Sequence, residues 1–188
     1  AVLIQDKANK VYYITKNKQN NWTIELDKPI IGNINQGDFF KNNKIQMIFN
    51  TSDKLYMLDR YGRNVEKFPL RIKNSTSLGH SLFDYNKTKR YRIMLAEDNN
   101  SITNLDRKGK KVIGWNFTPN NKIQKELHHF KSDEKDFIIK LSDNSAYTTA
   151  HGTSDATAQI GGLALQYIDL YPSADARTIK SYLSSEGY

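Results

Sequence analysis

A repeat of 43 to 47 residues runs through the first 145 residues of this chain and limits what it can fold into. The segments that begin at Leu55 and at Ile102 share the pattern Leu-Asp-Arg-x-Gly-basic-x-Val, 47 residues apart. An earlier copy at 11–14, 44 residues before Leu55, keeps the strand pattern but lacks the Asp-Arg-x-Gly turn. Self-similarity at such a period is typical of repeat architectures, in which each repeat is one supersecondary unit.

Each unit contains short apolar runs separated by Asp, Asn, Gly and Lys. One type of run recurs at 2–4, 45–49, 91–95 and 137–139, and a second type, which ends in an aromatic residue, at 22–24, 65–68 and 112–115. Runs of this length are too short for helices, and the residues between them suit the positive φ angles of hairpin turns. We therefore expect an all-β array of about four short strands per unit.

The Leu-Asp-Arg-x-Gly pattern also predicts a turn type. Asp59 and Asp106 should accept hydrogen bonds from the following backbone, while Gly62 and Gly109 should adopt the left-handed conformation. A role for these Asp residues as metal ligands is the alternative. The spacing lacks the dense set of acidic ligands that calcium requires, so we expect neither a metal site nor a cofactor.

Four-stranded units of about 45 residues are typical of β-propeller blades. Residues 2–145 resemble the blades of propellers with PQQ-like or WD-like repeats, and repeat proteins of Bacteroidetes-type bacteria with LDRxG-like turns. The resemblance implies an incomplete β-propeller-like array, because little more than three units are present where closed propellers typically have about four to eight blades. The other blades would come from more sequence or another chain, unless the array is open.

The composition changes abruptly near residue 145. Residues 1–145 contain 19 Asn and three Ala, whereas residues 146–188 contain no Asn and seven Ala. We therefore predict a repeat region at 1–145, whose fourth unit ends near Ser145, and a separate segment at 146–188.

The pattern of residues 146–188 predicts a small helical segment. Thr153 or Ser154 suits the N-cap of a helix, and Asp155 lies favourably in its first turn. Apolar residues then recur at helical spacing until Pro172, and a second short helix follows.

Three motifs in this segment resemble the nucleophile region of subtilisin-like serine proteases: Gly152-Thr153-Ser154-Asp155-Ala156, Tyr171-Pro172 and Thr178-Ile179-Lys180-Ser181-Tyr182-Leu183. The resemblance implies that Ser154 is a catalytic nucleophile, with Thr153 and Asp155 at a helix N-terminus whose N–H groups stabilise an oxyanion. Ala158 replaces a Pro that is usual in the family, and its Asp and His motifs are absent from this chain. The alternative is that Gly-Thr-Ser-Asp merely caps a buried helix.

The charge is uneven. The formal net charge is +8, and residues 1–145 carry 26 basic and 16 acidic residues. A basic surface can bind polyanions. Here the lysines are spread through the turns without a nucleic-acid-binding motif, so we interpret them as a solvated surface and expect no nucleic-acid partner.

Other features exclude some classes of protein. The chain has no Cys, which excludes disulfides and thiolate metal sites. No apolar run approaches the roughly 20 residues of a membrane-spanning helix, and residues 1–6 do not have the pattern of a signal peptide. The composition favours the exterior or periplasm of a bacterium, and is also compatible with the cytosol.

The sequence therefore predicts a non-catalytic interaction or scaffold module of the β-propeller type, part of a larger protein or assembly. Its loops would bind a protein partner or the remainder of the same protein. The alternative is a fragment of a subtilisin-like serine endopeptidase, with Ser154 as nucleophile and with its Asp and His partners outside this chain.

Overall fold

A computed structural model describes residues 2–17, 20–115, 122–132, 135–140 and 148–150 of the chain. Every regular element in these ranges is a β-strand, and none of them contains an α-helix. The strands are β1 (Val2–Gln5), β2 (Lys10–Ile14), β3 (Asn20–Glu25), β4 (Ile31–Gly37), β5 (Gln46–Asn50), β6 (Lys54–Leu58), β7 (Leu70–Arg71), β8 (Ser81–Phe83), β9 (Arg92–Ala96), β10 (Ile102–Asp106), β11 (His128–Ser132), β12 (Lys135–Lys140) and β13 (Thr148–Ala150).

The strands form four antiparallel sheets in chain order. Sheet 1 contains β1-β2-β3, sheet 2 β4-β5-β6-β7, sheet 3 β8-β9-β10 and sheet 4 β11-β12-β13. The first type of apolar run forms β1, β5, β9 and β12, one strand in each sheet. The predicted all-β repeat is therefore confirmed in the described residues.

The predicted fourth strands at 65–68 and 112–115 are wrong. Glu66 and Gly114 have φ angles of 48° and 82°, and such left-handed residues break an extended strand. In sheet 2 the fourth strand is instead β7, which pairs with Lys54 and Leu55. Sheets 2 and 3 share an isolated bridge, Leu58 with Asn64 and Leu105 with Lys111, but the described part of sheet 3 has no strand equivalent to β7.

Trp115 covers part of the sheet edge that a fourth strand would occupy. Its indole N–H donates a hydrogen bond of 2.7 Å to the carbonyl of Ile102. Ile102 lies 47 residues after Leu55, the residue whose backbone pairs with β7 in sheet 2. In sheet 3 the side chain of Trp115 therefore binds the carbonyl of Ile102, whereas the equivalent residue of sheet 2, Leu55, pairs with the backbone of β7.

Apolar side chains between neighbouring sheets form three cores. The core between sheets 1 and 2 contains Val11, Leu26, Met47, Phe49, Tyr56 and Leu58. The next, between sheets 2 and 3, contains Phe39, Ile48, Leu55, Met57, Phe68, Ile72, Ile93, Leu95 and Leu105. The last, between sheets 3 and 4, contains Met94, Ala96, Ile102, Ile123, Leu127 and Ile138. Both faces of the middle sheets are thus covered, and all five residues of β5 are buried.

The glycines of the Leu-Asp-Arg-x-Gly turns lie against the preceding sheet. Gly62, with φ of +78°, faces the indole ring of Trp22 in sheet 1, and the ideal position of a Cβ there lies 2.6 Å from Cδ2 of that ring. Gly109, with φ of +74°, faces Leu70 of β7. Two separate causes therefore favour glycine at both positions: the left-handed backbone conformation, and the close approach of the preceding sheet, which leaves no room for a Cβ.

Sheet 4 continues past the predicted end of the fourth unit at Ser145, because β13 pairs with β12. The predicted boundary between residues 145 and 146 falls outside the described residues and stays a prediction. The same holds for the predicted helices, which begin at Ala156.

Candidate interaction face

The turns alternate between two ends of the sheets, because every sheet is an antiparallel meander. We call one end the turn face, and it consists of residues 15–17, 38–45, 59–63, 84–91 and 106–111. We call the other the opposite end, and it consists of residues 6–9, 26–30, 51–53, 72–80, 97–101 and 122–127. Hydrogen bonds between neighbouring sheets show that each end is shared by several sheets, as from Trp22 to Arg60 and from Asp98 to Ser75.

The two ends differ in charge. The turn face contains four Asp and twelve basic residues, which are Lys16, Lys41, Lys44, Arg60, Arg63, Lys87, Lys89, Arg90, Arg107, Lys108, Lys110 and Lys111. The opposite end contains five basic and six acidic residues. Lysines and arginines that are spread along the sequence are therefore collected at one end of the fold.

The four Asp residues of the turn face bind the backbone of their own turns. The carboxylate acceptors and their N–H donors are Asp38 with Asn42 and Asn43, Asp59 with Tyr61 and Arg63, Asp84 with Thr88 and Lys89, and Asp106 with Lys108 and Lys110. Gly62 and Gly109 have positive φ, so the predicted turn type is confirmed. In the part of the chain that the structure describes, no group of three or more potential ligands could hold a metal ion.

One ion pair joins the turn face across two sheets. Nζ of Lys89, in sheet 3, lies 2.7 Å from Oδ2 of Asp38, in sheet 2, whose side chain is only 4% exposed. The hydrogen bond from Lys89 holds the pKa of Asp38 below its ordinary value. Arg107 adds a second link between these sheets, donating a 2.8 Å hydrogen bond to the carbonyl of Phe39.

Tyr61 is an exposed aromatic residue at the tip of its turn. The guanidinium groups of Arg60 and Arg63 lie 4.6 and 5.0 Å from its ring centroid, within cation–π distance. Arg63 also pairs with Asp59 at 2.7 Å. Burial raises the pKa of Asp59, but hydrogen bonds from Arg63 and from the backbone outweigh that effect and leave the pKa lowered.

Most of the basic residues remain available to a partner. Among the described residues, only Arg63 and Lys89 of the twelve have a carboxylate within salt-bridge distance. Ile45 and Tyr61 are 46% and 55% exposed on the turn face, and Ile113, which is 92% exposed, lies three residues beyond Lys110. The turn face therefore combines uncompensated positive charge with exposed apolar side chains.

The predicted catalytic residues are not part of this face. Ser154, Thr153 and Asp155 lie outside the described residues, so their roles stay predictions. His80 is buried beside Asn50, and burial lowers its pKa to about 4. It is therefore a neutral structural residue at pH 7.

Sequence reasoning missed the clustering around Tyr61. The signal was the basic residues that flank the turn glycine in both copies of the pattern, at Arg60, Arg63, Arg107 and Lys110. These basic residues indicate a shared surface only because the strand topology places both turns on the turn face.

Comparison with known proteins supports the fold. No protein-family model and no curated protein matches the chain. A similar solved structure is BBS1N, a β-propeller-containing protein crystallised in complex with ARL6DN and soaked with lead. The TM-score is 0.58 at 13% sequence identity, over 81% of this chain and 49% of that chain.

This likeness shows a β-propeller-like fold, and the chain spans about half the length of the matched protein. It confirms the propeller part of the predicted resemblance. The comparisons support neither a subtilisin-like region nor a bacterial origin. None of the described residues forms a helix long and apolar enough to cross a membrane.

Proposed function

We propose that this chain is a non-catalytic interaction module of the β-propeller type, part of a larger assembly, and that it binds an acidic protein partner through the turn face. The observation that carries the proposal is the contrast between the two ends. Ten basic residues of the turn face have no carboxylate partner among the residues that the structure describes, while the opposite end is nearly balanced in charge. Complementary charge steers association and selects partners.

A protein partner fits the turn face better than a nucleic acid does. Nucleic-acid backbones are bound mainly through positive charge, whereas Tyr61 and Ile45 add exposed apolar surface to this face. Tyr and Arg are among the residue types enriched at the energetic centres of protein interfaces. BBS1N, which has a similar fold, was itself crystallised with a protein partner.

Two charge-reversal variants of the full chain test the proposal. The first replaces three exposed residues of the turn face, Arg60→Glu, Lys108→Glu and Lys110→Glu. The matched control replaces three exposed residues of the opposite end, Lys7→Glu, Lys73→Glu and Lys125→Glu. Both variants change the net charge equally, so only the position of the charge differs.

Fluorescence anisotropy with a labelled peptide rich in Glu and Leu provides the measurement. We expect the wild type to bind with an affinity that falls as salt rises, because charge is screened over about 10 Å at 0.1 M salt. The turn-face variant should bind at least roughly tenfold more weakly, and the control should match the wild type. Equal losses in the two variants would contradict a localised site.

Two further measurements separate this function from the others. Tighter binding of duplex DNA than of the peptide, lost in the turn-face variant, would favour a nucleic-acid partner instead. Labelling of the native chain by a fluorophosphonate probe, abolished by Ser154→Ala, would favour the protease alternative. We expect neither result.

A further inference from the structure

A crevice of about 190 Å³ lies between sheets 2 and 3. Its apolar lining consists of Leu55, Leu70, Ile72, Leu95 and Leu105, and its polar lining of Arg71, Lys73, Glu97, Thr103, Gly109 and Lys111. Most small-molecule sites have volumes of roughly 300–1,000 Å³. The crevice is smaller than these sites, so it suits a ligand with a single ring.

The crevice lies where the preceding interface contains aromatic rings. In the core between sheets 1 and 2, Phe49 and Tyr56 are opposite each other and stack, with ring centroids 5.2 Å apart. In sheet 3 the residues opposite each other at this position are Leu95 and Thr103, which follow 46 and 47 residues later. Two smaller side chains therefore line a space that two aromatic rings fill in the previous unit.

The side chain beneath the turn glycine differs in the same direction. Gly62 lies against the indole ring of Trp22, whereas Gly109 lies against Leu70. Both interfaces follow the same plan, and the second has an aliphatic side chain where the first has a bicyclic ring. An aromatic ring is therefore the group that this repeat packs at the position of the crevice.

The charges around the crevice favour an anion. Arg71, Lys73 and Lys111 are exposed, and among the described residues none of the three has a carboxylate within salt-bridge distance. Glu97, the acidic residue of the lining, accepts hydrogen bonds from the backbone N–H and the side-chain amide of Asn74. Lys and Arg bind carboxylates through charge-assisted hydrogen bonds. Three cations thus surround an apolar space whose one carboxylate already has donors.

We propose that this crevice binds a small aromatic carboxylate. The ring occupies the space beside Leu95 and Thr103, and the cations around the crevice bind the carboxylate. A free aromatic acid and a chain that ends in Phe share this chemistry. The site is independent of the proposed function, because the crevice residues that also belong to the turn face, Gly109 and Lys111, are unchanged in its charge-reversal variants.

Titration of the full chain with phenylacetate, followed by ¹H–¹⁵N NMR, tests the proposal. We expect saturable shifts of the amides that line the crevice, with a Kd of roughly 1 mM, because a ligand of about ten non-hydrogen atoms gains little binding energy. Acetate lacks the ring and phenylacetamide lacks the charge, so each should bind at least roughly tenfold more weakly. Tighter binding of N-acetylphenylalanine would identify a chain end as the source of the ligand, and tighter binding of phenylacetate a free acid.

Two pairs of variants locate the ligand. Thr103→Tyr restores the ring of the preceding interface and should weaken binding at least roughly tenfold. Its matched control, Thr103→Val, removes the hydroxyl without filling the crevice and should bind phenylacetate as the wild type does. Arg71→Gln removes a charge at the crevice and should also weaken binding, whereas Lys125→Gln, an exposed change outside the crevice, should not. Circular dichroism establishes that each variant is folded.

Three results would each overturn the proposal. The first is the absence of saturable shifts with phenylacetate and N-acetylphenylalanine up to about 20 mM, well above the expected Kd. The second is equal binding of phenylacetate and either acetate or phenylacetamide, which would show that the ring or the charge is not recognised. The third is unchanged binding in folded Thr103→Tyr and Arg71→Gln, which would place the ligand outside the crevice.

Discussion

Gly62→Ala tests whether the turn glycine is fixed by the neighbouring sheet or only by its own backbone. Gly62 has a φ of +78°, and a Cβ there would lie 2.6, 2.9 and 3.0 Å from three ring atoms of Trp22. Gly114 provides the matched control, since its φ is +82° and no described atom lies within 4 Å of its Cβ position. The two substitutions share the backbone cost and differ in the contact.

The expected magnitudes follow from these two causes. A residue with a Cβ costs about 1–2 kcal/mol in the left-handed conformation, which is our estimate for Gly114→Ala. Gly62→Ala adds an overpacking cost of about 1–3 kcal/mol, because a rigid indole ring has to move. Gly109→Ala should fall between the two, since its Cβ would meet the flexible end of Leu70.

Urea unfolding followed by circular dichroism measures the difference in the free energy of unfolding between the variants. We expect Gly62→Ala to be less stable than Gly114→Ala by about 1–3 kcal/mol. Equal stabilities within about 0.5 kcal/mol, the usual scatter of surface substitutions, would show that the Trp22 contact does not join the two sheets.

Three further predictions concern buried polar groups. Lys89→Met should lower stability at pH 7, because it removes the cation that holds the pKa of Asp38 down. The stability that this ion pair contributes is present above the ordinary Asp pKa of 3.8 and is lost as the pH falls through the lowered pKa of the folded state. The difference in the free energy of unfolding between wild type and variant should therefore disappear in acid. A difference that does not change with pH would contradict this explanation. Folding lowers the pKa of His80 from 6.5 to about 4, so the unfolded chain takes up this proton first as the pH falls. The free energy of unfolding of the wild type should therefore decrease by about 3 kcal/mol between pH 6.5 and pH 4. His80→Gln should show a flatter stability profile there, and equal slopes would refute the assignment. Glu97→Ala should lower the free energy of unfolding by about 2–3 kcal/mol, because it leaves Asn74 and the hydroxyl of Thr103 without their acceptor. The control Asp98→Ala removes an exposed acceptor of the Ser77 N–H, so it should lower the free energy of unfolding less in the same assay.

Features that depend on short-range chemistry could be predicted from the sequence. The Asp and Gly of the Leu-Asp-Arg-x-Gly turns determine a local conformation, so Asp59 and Gly62 were placed correctly. The apolar runs of β5 and β9 were also found, because strands covered on both faces are apolar at nearly every position.

Features that depend on topology or on one left-handed residue could not be predicted. Glu66 adopts a positive φ that its residue type does not indicate, and the predicted strand at 65–68 is therefore a turn. The turn face was missed for another reason. Arg60 and Lys108 are distant in sequence, and only the alternation of antiparallel strands brings their turns to one end.

The stacking of the sheets also determines which sheets should unfold locally most easily. A sheet that is covered on both sides loses two cores when it separates, whereas sheet 1 loses only the core it shares with sheet 2. Where repeated units contact mainly their neighbours, the free energy of unfolding is approximately a sum of unit terms and nearest-neighbour terms. Amide hydrogens of β5, β6 and β9 should therefore exchange with solvent more slowly than those of β1.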